Sequence, residues 1–445
     1  MDPLRIPPCQ APEISVVLVT YNAWEWTERA LRALVDTTEV PYELVVVDNA
    51  STDSTRERLA GLEHARVSLQ ESNRGYGVAA NLGVIMARAP RVLLLNSDCM
   101  PRPGWLPPLL EVLDGEDDVA ATGARLDNVD GTLQEAGSIV WGDGASDNYG
   151  DGDDPRRPEY RFRRDVDYLS AACLLVRRSA FCDAGGFDPL YHPAYYEDTD
   201  LAMRWRSRGL RVVYQPRSTA VHKRWASSGD RGGMVGQLLR NRPVFVERWR
   251  ELLGDRPPRP DPEDAPSLLA LRDVECPERV LVAVGRLDSP AGALAERLVR
   301  ACAARAPRWR VTLLCWDENA ETPVAEALRA AGAEVVGGRG EPGDWLEFRR
   351  RHHSVVVAEP SLPTRAAVML RDTQPHAVRV ALVAAETARA PSPWLDGARL
   401  AVCDGTDVQA SLQRTHPGLP AVVVSGAEPT AGIASVAHRL GLRLD

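Results

Sequence analysis

The chain has 445 residues, enough for two or three domains that each bury a core. Its formal net charge of −9, with acidic residues exceeding arginine and lysine together, excludes a global positive field for nucleic acid or anionic lipid. The 44% hydrophobic and 26% charged fractions are those of an ordinary soluble globular protein, so an anionic ligand needs a local positive site.

The first residues, MDPLRIPPCQAPE, are rich in proline and lack an apolar core, so residues 1–13 read as a tail and not as a signal peptide. Residues 14–20 (ISVVLVT) form an uncharged β-branched run, the pattern of a strand buried on both faces. WEWTERALRALVDTT follows with leucine and alanine at helical spacing. Then come ELVVVD (43–48), a helical stretch from Ser54, RVSLQ (66–70), a helix from Gly77 to Ala89, and RVLLLNSD (91–98). Strands alternating with helices predict an α/β fold with a mostly parallel sheet, which binds ligands at the carboxyl ends of its strands. From Trp141 to Asp165 the pattern lapses into glycine, aspartate and arginine, which predicts a solvated loop or a mobile flap over a substrate.

Regular structure resumes at YLSAACLLVRR and continues through FDPLYHPAYYEDTDLAMRWRSRG and RVVYQP. A helix, GQLLRNRPVFVERWRELLG, closes this region, with a kink expected at Pro243. The proline-rich stretch that opens the 254–278 linker marks a domain boundary. Seven further strand-like runs then appear: RVLVAVGRL, RVTLLCW, AEVVGG, SVVVAE, RVALVAAE, RLAVCDG and AVVVSG. The division is thus a domain over 14–253, the linker, and a second doubly wound Rossmann-like α/β domain over 279–445. The eight scattered cysteines include no CxxC pair and read as reduced, buried thiols. No apolar run approaches the ~18–20 residues that span a bilayer. A cytoplasmic protein is expected, with peripheral contact at the inner membrane face and self-association left open.

Four polar clusters fall where ligands are bound. VTYN ends the first strand, and VVVDNASTDST follows the second. Asp48 is placed to hold a nucleoside through a ribose hydroxyl or base N–H, or else to cap a turn, while Asn49, Ser51 and Asp53 read as turn and cap residues opening the next helix. In SNRGYGVAANLGV the turn from Asn73 to Gly77 opens a helix whose N-terminus is suited to phosphate, with Arg74 beside it. In LLLNSDCM a carboxylate, Asp98, ends an apolar strand, where it is suited to hold Mg²⁺ or Mn²⁺ against diphosphate oxygens. In YYEDTDLAMRWRSRG the adjacent carboxylates Glu197 and Asp198 open a helix. One is suited to act as general base; the alternative is plain capping, the role assigned to Asp200. Crowding of like charges predicts a raised pKa for one of the pair. His222, after a strand-like stretch, is a candidate second ligand.

Taken in order, ISVVLVTYN, ELVVVDNASTDST, NRGYGVAANLG, VLLLNSDCMPRPGWL, LSAACLLVRRSAFCDAGGFDP, YYEDTDLAMRWRSRGLRVVYQP and VH resemble the family-two inverting glycosyltransferases of the GT-A fold. The resemblance covers about residues 12–252 and is nearest to rhamnosyltransferase-like members of bacterial polysaccharide assembly. It implies transfer of a hexosyl or deoxyhexosyl group from a nucleotide diphosphate sugar to an acceptor hydroxyl of a glycan, lipid-linked sugar or small molecule. It places Thr20, Tyr21, Asn22, Asp48, Asn49, Arg74 and Gly75 at the nucleotide sugar. Asn96, Ser97 and Asp98 occupy the family's DxD site, with Asp98 and His222 as ligands of Mg²⁺ or Mn²⁺. Asp198 is the implied base, with Glu197 beside it, and Trp105 braces the site. Asn96 replaces the first aspartate of DxD, a neutral and weaker ligand.

The GRLDSPAGALAERLVRACAARAPRWRVTLLCW segment resembles the start of a GT-B half-domain. A nucleotidyltransferase would need a glycine-rich signature ending in arginine and lysine, which VTYNAWEWTER is not. The remaining alternative is a non-catalytic nucleotide-sugar-binding or scaffold protein.

Overall fold

The uncharged run 14–20 forms the inner strand β1 (Ile14–Thr20), every residue of it buried. A computed structural model describes residues 4–224, 231–259, 276, 278–304, 309–316, 320–338, 341–349, 353–384, 393–396 and 398–424. They form two units, residues 1–160 with 164–259, and residues 161–163 with 260–445.

In the first unit β1 lies between β2 (Tyr42–Asp48) and β4 (Arg91–Asn96), parallel to both. Beyond β2 lies the edge strand β3 (Ala65–Leu69). The remaining strands are β5 (Cys99–Pro101), β6 (Val119–Asp127), β7 (Leu133–Glu135), β8 (Ser138–Val140), β9 (Ser146–Asn148), β10 (Arg164–Val166), β11 (Cys173–Arg177) and β12 (Arg211–His222). The main sheet runs β10-β12-β6-β11-β4-β1-β2-β3, with β5 joined to β12 and β7 to β6. Register sets Thr20 beside Asp48, and Val19 beside Asn96, so the carboxyl ends of three strands fall together.

Helices α1 (Trp24–Thr37), α2 (Thr55–Ala60), α3 (Tyr76–Met86), α4 (Leu106–Gly115), α5 (Arg178–Asp183), α6 (Glu197–Arg206) and α7 (Arg231–Gly254) complete the unit. On α3, a Cβ built at Gly83 would stand 2.3 Å from Val17 Cγ1, so only glycine lets this helix lie so close to β1.

Several expectations need correction. The 141–165 stretch is packed and not a solvated loop. Trp141, Tyr149 and Tyr160 are buried, and β9 within it pairs with β8 just before it. Its aspartates and glycines serve turns, while aromatic residues spaced without helical or strand period anchor it. Ile6, in the segment read as a tail, is buried in the core around β1. Trp105 belongs to that core too and braces packing, not the site. Residues 254–259, read as the start of the linker, lie on the first unit: Arg256 pairs with Asp167 and Arg259 with Asp147. The rest of the linker, apart from 276 and 278, falls outside the described residues. Helix α7 passes through Pro243, and its non-helical residue is Trp249 (φ −106°, ψ 17°). There the indole N–H is held by Asp200 Oδ1 at 2.9 Å, a tertiary bond that competes with helical geometry.

Among the described residues the second unit holds a seven-stranded sheet whose pairings are all parallel. Its strands are β13 (Glu278–Val284), β14 (Trp309–Cys315), β15 (Glu334–Gly337), β16 (Val355–Ala358), β17 (Val378–Val383), β18 (Leu400–Cys403) and β19 (Ala421–Val423), one for each predicted run. Their order, β15-β14-β13-β16-β17-β18-β19, is that of a doubly wound fold. Val280, Val282 and Val284 pack on one face and Leu281 and Ala283 on the other, as a sheet covered on both sides requires.

Asp200, read as a cap, makes no cap bond to α6 and instead ties α6 to α7. Fully buried, it accepts from the Tyr191 hydroxyl and the Trp249 indole and pairs with Arg204 and Arg248. Its loss strips both guanidinium groups of a shared partner. Asp200→Ala is expected to cost about 3–5 kcal/mol in urea unfolding. A loss below about 1 kcal/mol would contradict this account of how α6 and α7 are joined.

Candidate functional site

The loop after β1 is bound to the loop after β2. The Asn22 N–H donates to Ser51 Oγ, and its side-chain oxygen accepts from the Thr52 N–H, both at 2.7 Å. Asp53 accepts from the N–H groups of Trp24 and Thr55, the capping role expected of it. Asp48 is fully buried, accepts from the Ser51 N–H and lies 3.6 Å from Arg56 Nε. Thr20 Oγ1 pairs with Thr27 Oγ1 at 3.0 Å. These residues shape the strand ends from behind. Asn49 reaches further: its amide donates to Asn73 Oδ1 at 2.9 Å and its oxygen accepts from the Arg74 N–H at 3.0 Å. At Gly75 (φ +80°) a Cβ would meet the Pro193 carbonyl at 2.5 Å, so glycine is required where the two loops meet.

In front of these loops lies a cavity of about 770 Å³. Its wall brings together Tyr21, Asn49 and Gly75 with Asn96, Ser97 and Asp98, and with Glu197, Asp198 and His222. Thr20, Asn22, Asp48 and Arg74 lie outside the lining, in supporting positions. The wall also holds residues that the sequence reading passed over, among them Asn73, Gln134, Glu135, Tyr168 and Ser170. Asn73 stood within the quoted glycine turn. The others lie on a three-residue strand and in the short segment before β11, where hydrophobic periodicity carries no signal.

Asp98 and His222, 124 positions apart, are in contact: Oδ1 to Nε2 is 3.1 Å. Asn96 Nδ2 lies 3.3 Å from the same ring nitrogen, and Gln134 Oε1 lies 2.7 Å from Nδ1. Among the described residues no group of three or more His, Cys, Asp or Glu side chains is arranged to hold a metal, so Asp98 and His222 are a two-residue set.

The carboxylate pair stands at the start of α6, where acidic groups meet the helix dipole. Tyr195 and Tyr196, just before it, both hold positive φ (73° and 76°), a strained backbone for bulky residues. Buried Asn241 of α7 fixes that strain by donating to the carbonyls of Tyr191, Ala194 and Tyr195. Burial and then the neighbouring Asp198 charge push Glu197 well above the usual carboxylate range. Its Oε2 has no hydrogen-bond partner among the described residues, as suits a neutral acid. Burial also raises Asp198, against N–H bonds from Thr199 and Ala171 that favour its anion. Thr199 N–H binds Asp198 Oδ1 at 2.7 Å. Of the two, Glu197, with its unpartnered oxygen, is the one that burial and its neighbour's charge push towards the neutral acid. Glu135 accepts from the Ser170 N–H at 3.0 Å, and burial raises it to about 7.

No helix among the described residues is long and apolar enough to cross a membrane. The profile of the family described as Glycosyl transferase family 2 matches residues 15–182. Over 241 residues the chain is 33% identical to N-acetylglucosaminyl-diphospho-decaprenol L-rhamnosyltransferase of Mycobacterium tuberculosis, covering 48% of this chain and 78% of that protein. It is 26% identical over 375 residues to the O-antigen biosynthesis protein RfbC of Myxococcus xanthus, covering 77% of this chain and 28% of that one. Among solved structures, GalNAc-T7 with UDP, GalNAc and Mn²⁺ superposes with a TM-score of 0.45 at 16% identity, over 55% of this chain and 49% of that one. The α/β strand ends, the cleft they carry and the rhamnosyltransferase relative agree: the chain belongs to glycosyl transferase family 2 and is a glycosyltransferase.

Proposed function

We propose that the first unit transfers a hexosyl or deoxyhexosyl group from a nucleotide diphosphate sugar to an acceptor hydroxyl, with inversion, in polysaccharide or glycolipid assembly. The rhamnosyltransferase relative supports a deoxyhexose donor and a lipid-linked glycan acceptor. The observation that carries the reading is that Asp198 opens on the same cavity as Asp98, His222 and Asn49. Tyr21, Asn49 and Gly75 line the nucleotide side, with Asn96 and Ser97 beside Asp98. Thr20, Asn22, Asp48 and the Arg74 backbone brace that side from behind.

Asp198 is the base. The N–H groups of Thr199 and Ala171 fix its carboxylate at the cavity wall, where it takes the acceptor proton. Burial and the Asp198 charge raise Glu197 beside it, which disfavours a second anion at that point. The hydroxyl attacks the anomeric carbon from the face opposite the nucleotide; the new C–O bond forms as the bond to the diphosphate breaks, and its proton passes to Asp198.

A carboxylate oxygen beside an imidazole nitrogen suits Mg²⁺ or Mn²⁺ whose other positions are filled by diphosphate and water. Asp98 and His222 would hold such an ion, which supplies neutralisation of the charge that gathers on the departing diphosphate.

Asp198→Asn keeps the shape of the cleft and removes the base. It is expected to lower kcat about 10²–10⁴-fold with donor affinity retained. Near-normal turnover in that variant would refute the assignment. EDTA is expected to abolish release of nucleoside diphosphate, and Mg²⁺ or Mn²⁺ to restore it; full activity in chelator overturns the metal reading.

Glu135 supplies a pH test of the cavity's electrostatics. Its carboxyl titrates near 4.5 when unfolded and near 7 when folded, so between these values only the folded state keeps the proton. Its stabilising contribution is present below the unfolded value and is lost as pH rises through the folded one. Glu135→Gln should therefore unfold at higher urea than the unaltered chain at pH 8, by roughly 1–3 kcal/mol, and match it near pH 4. Equal or lower stability at pH 8 would contradict the buried environment assigned to Glu135.

A further inference from the structure

His222 is held at both ring nitrogens, by Gln134 at Nδ1 and by Asp98 at Nε2. The nitrogen that carries the ring proton decides what Nε2 offers: a lone pair to a cation, or an N–H to Asp98. The turn between β6 and β7 contains a chain of oriented groups that makes this choice. The Thr132 hydroxyl donates to Asp130 Oδ1 at 2.7 Å, so its oxygen accepts from Asn128 Nδ2 at 3.0 Å. That amide nitrogen also donates to the Leu133 carbonyl at 3.2 Å, which leaves Asn128 Oδ1 as an acceptor. Gln134 Nε2 donates to Asn128 Oδ1 at 3.0 Å and to the His222 carbonyl at 3.1 Å.

Turning either amide over would set oxygen against oxygen, so Gln134 presents Oε1 to the ring. An amide oxygen has no proton to give. The proton between Gln134 and Nδ1 is therefore the ring's own. On the other side Nε2 faces a donor, Asn96 Nδ2 at 3.3 Å, and an acceptor, Asp98 Oδ1 at 3.1 Å, so the choice falls to the Nδ1 side. Gln134 is 2% exposed, so water does not replace it as the Nδ1 partner.

We propose that Gln134 is a positioning residue that keeps the ring proton of His222 on Nδ1 and so holds the Nε2 lone pair, beside Asp98, for a divalent cation. The proposal rests on the metal reading above. Without Gln134 the ring proton moves to Nε2 and donates to Asp98, and this internal bond occupies both groups that would hold the ion. Carboxyl or amide partners of metal-bound histidines act in this way, at about 10–100-fold in affinity.

The test uses the full chain with ¹⁵N-labelled histidine, at a pH of about 8.5, roughly two units above the ordinary imidazole value. The His222 signals are assigned by their loss in His222→Asn. Mn²⁺ binding in the presence of UDP is read from loss of the free-ion paramagnetic resonance signal. The unaltered chain is expected to show a protonated Nδ1 and a bare Nε2. Gln134→Leu, similar in bulk, should reverse the two nitrogens and weaken Mn²⁺ binding about 10–100-fold. Unchanged tautomer and affinity in a folded Gln134→Leu chain overturn the proposal and leave the metal reading standing. A proton on Nε2 in the unaltered chain overturns the proposal without any variant, should Gln134→Leu fail to fold. Failure of the unaltered chain to bind Mn²⁺ with UDP overturns the metal reading and the proposal with it.

Discussion

The end of β12 pairs antiparallel with β5, setting His222 opposite Cys99, and the Lys223 N–H binds the Asp98 carbonyl at 3.0 Å. Two sequence segments more than a hundred residues apart are thereby placed side by side by main-chain bonds alone. The pairing depends on an irregularity. Along β6, the partner of Gln215 is Ala124, but the partner of Thr219 is Arg125. Pro216, Arg217 and Ser218 are looped out between them. A proline cannot donate to the ladder, so it sits where the ladder is already broken. A bulge of this kind bends its strand and re-aims the residues beyond it, here carrying Val221 and His222 across to β5.

That pairing sets the electrostatic character of the cleft. Asp98, Glu135, Glu197 and Asp198 line one cavity in an acidic chain, a poor match for an anionic donor unless charge is removed. Burial removes some of it by raising Glu197, and with it Glu135. The strained tyrosines before α6, fixed by Asn241 and by the Tyr196 hydroxyl on the Gly144 carbonyl, hold the carboxylate pair against its own repulsion. The remaining charge is what a cation at Asp98 and His222 would balance, and the Gln134 chain would keep the ring ready for it.

The strands were legible because buried parallel strands are written as continuous apolar runs. Each of β13 to β19 matches such a run, and so do β1, β2 and β4. Polar residues directly after those runs, such as Asn49, Asp98 and His222, were legible for the same reason: a strand end is visible and ligands gather there. Depth behind the strand end was not legible. Asp48 and Asn49 are adjacent, yet one is sealed behind the loop and the other lines the cavity, a difference set by which side of the chain faces Ser51 and Arg56. Gln134 and Glu135 lie on a three-residue strand whose place comes from pairing with β6 and from tertiary bonds to distant segments. Trp105 and Pro243 misled for a further reason: local chemistry marks a residue as special without saying which neighbour it meets.

Crystals grown with Mn²⁺ and UDP would test the central claim most directly, through the anomalous signal of manganese. The account predicts one strong peak in bonding contact with Asp98 and His222 Nε2, the diphosphate against it, the base beside Tyr21 and Asn49, and Asp198 across an open space fit for a sugar. Manganese or nucleotide bound away from the Asp98–His222 pair, with that cleft empty, would contradict it.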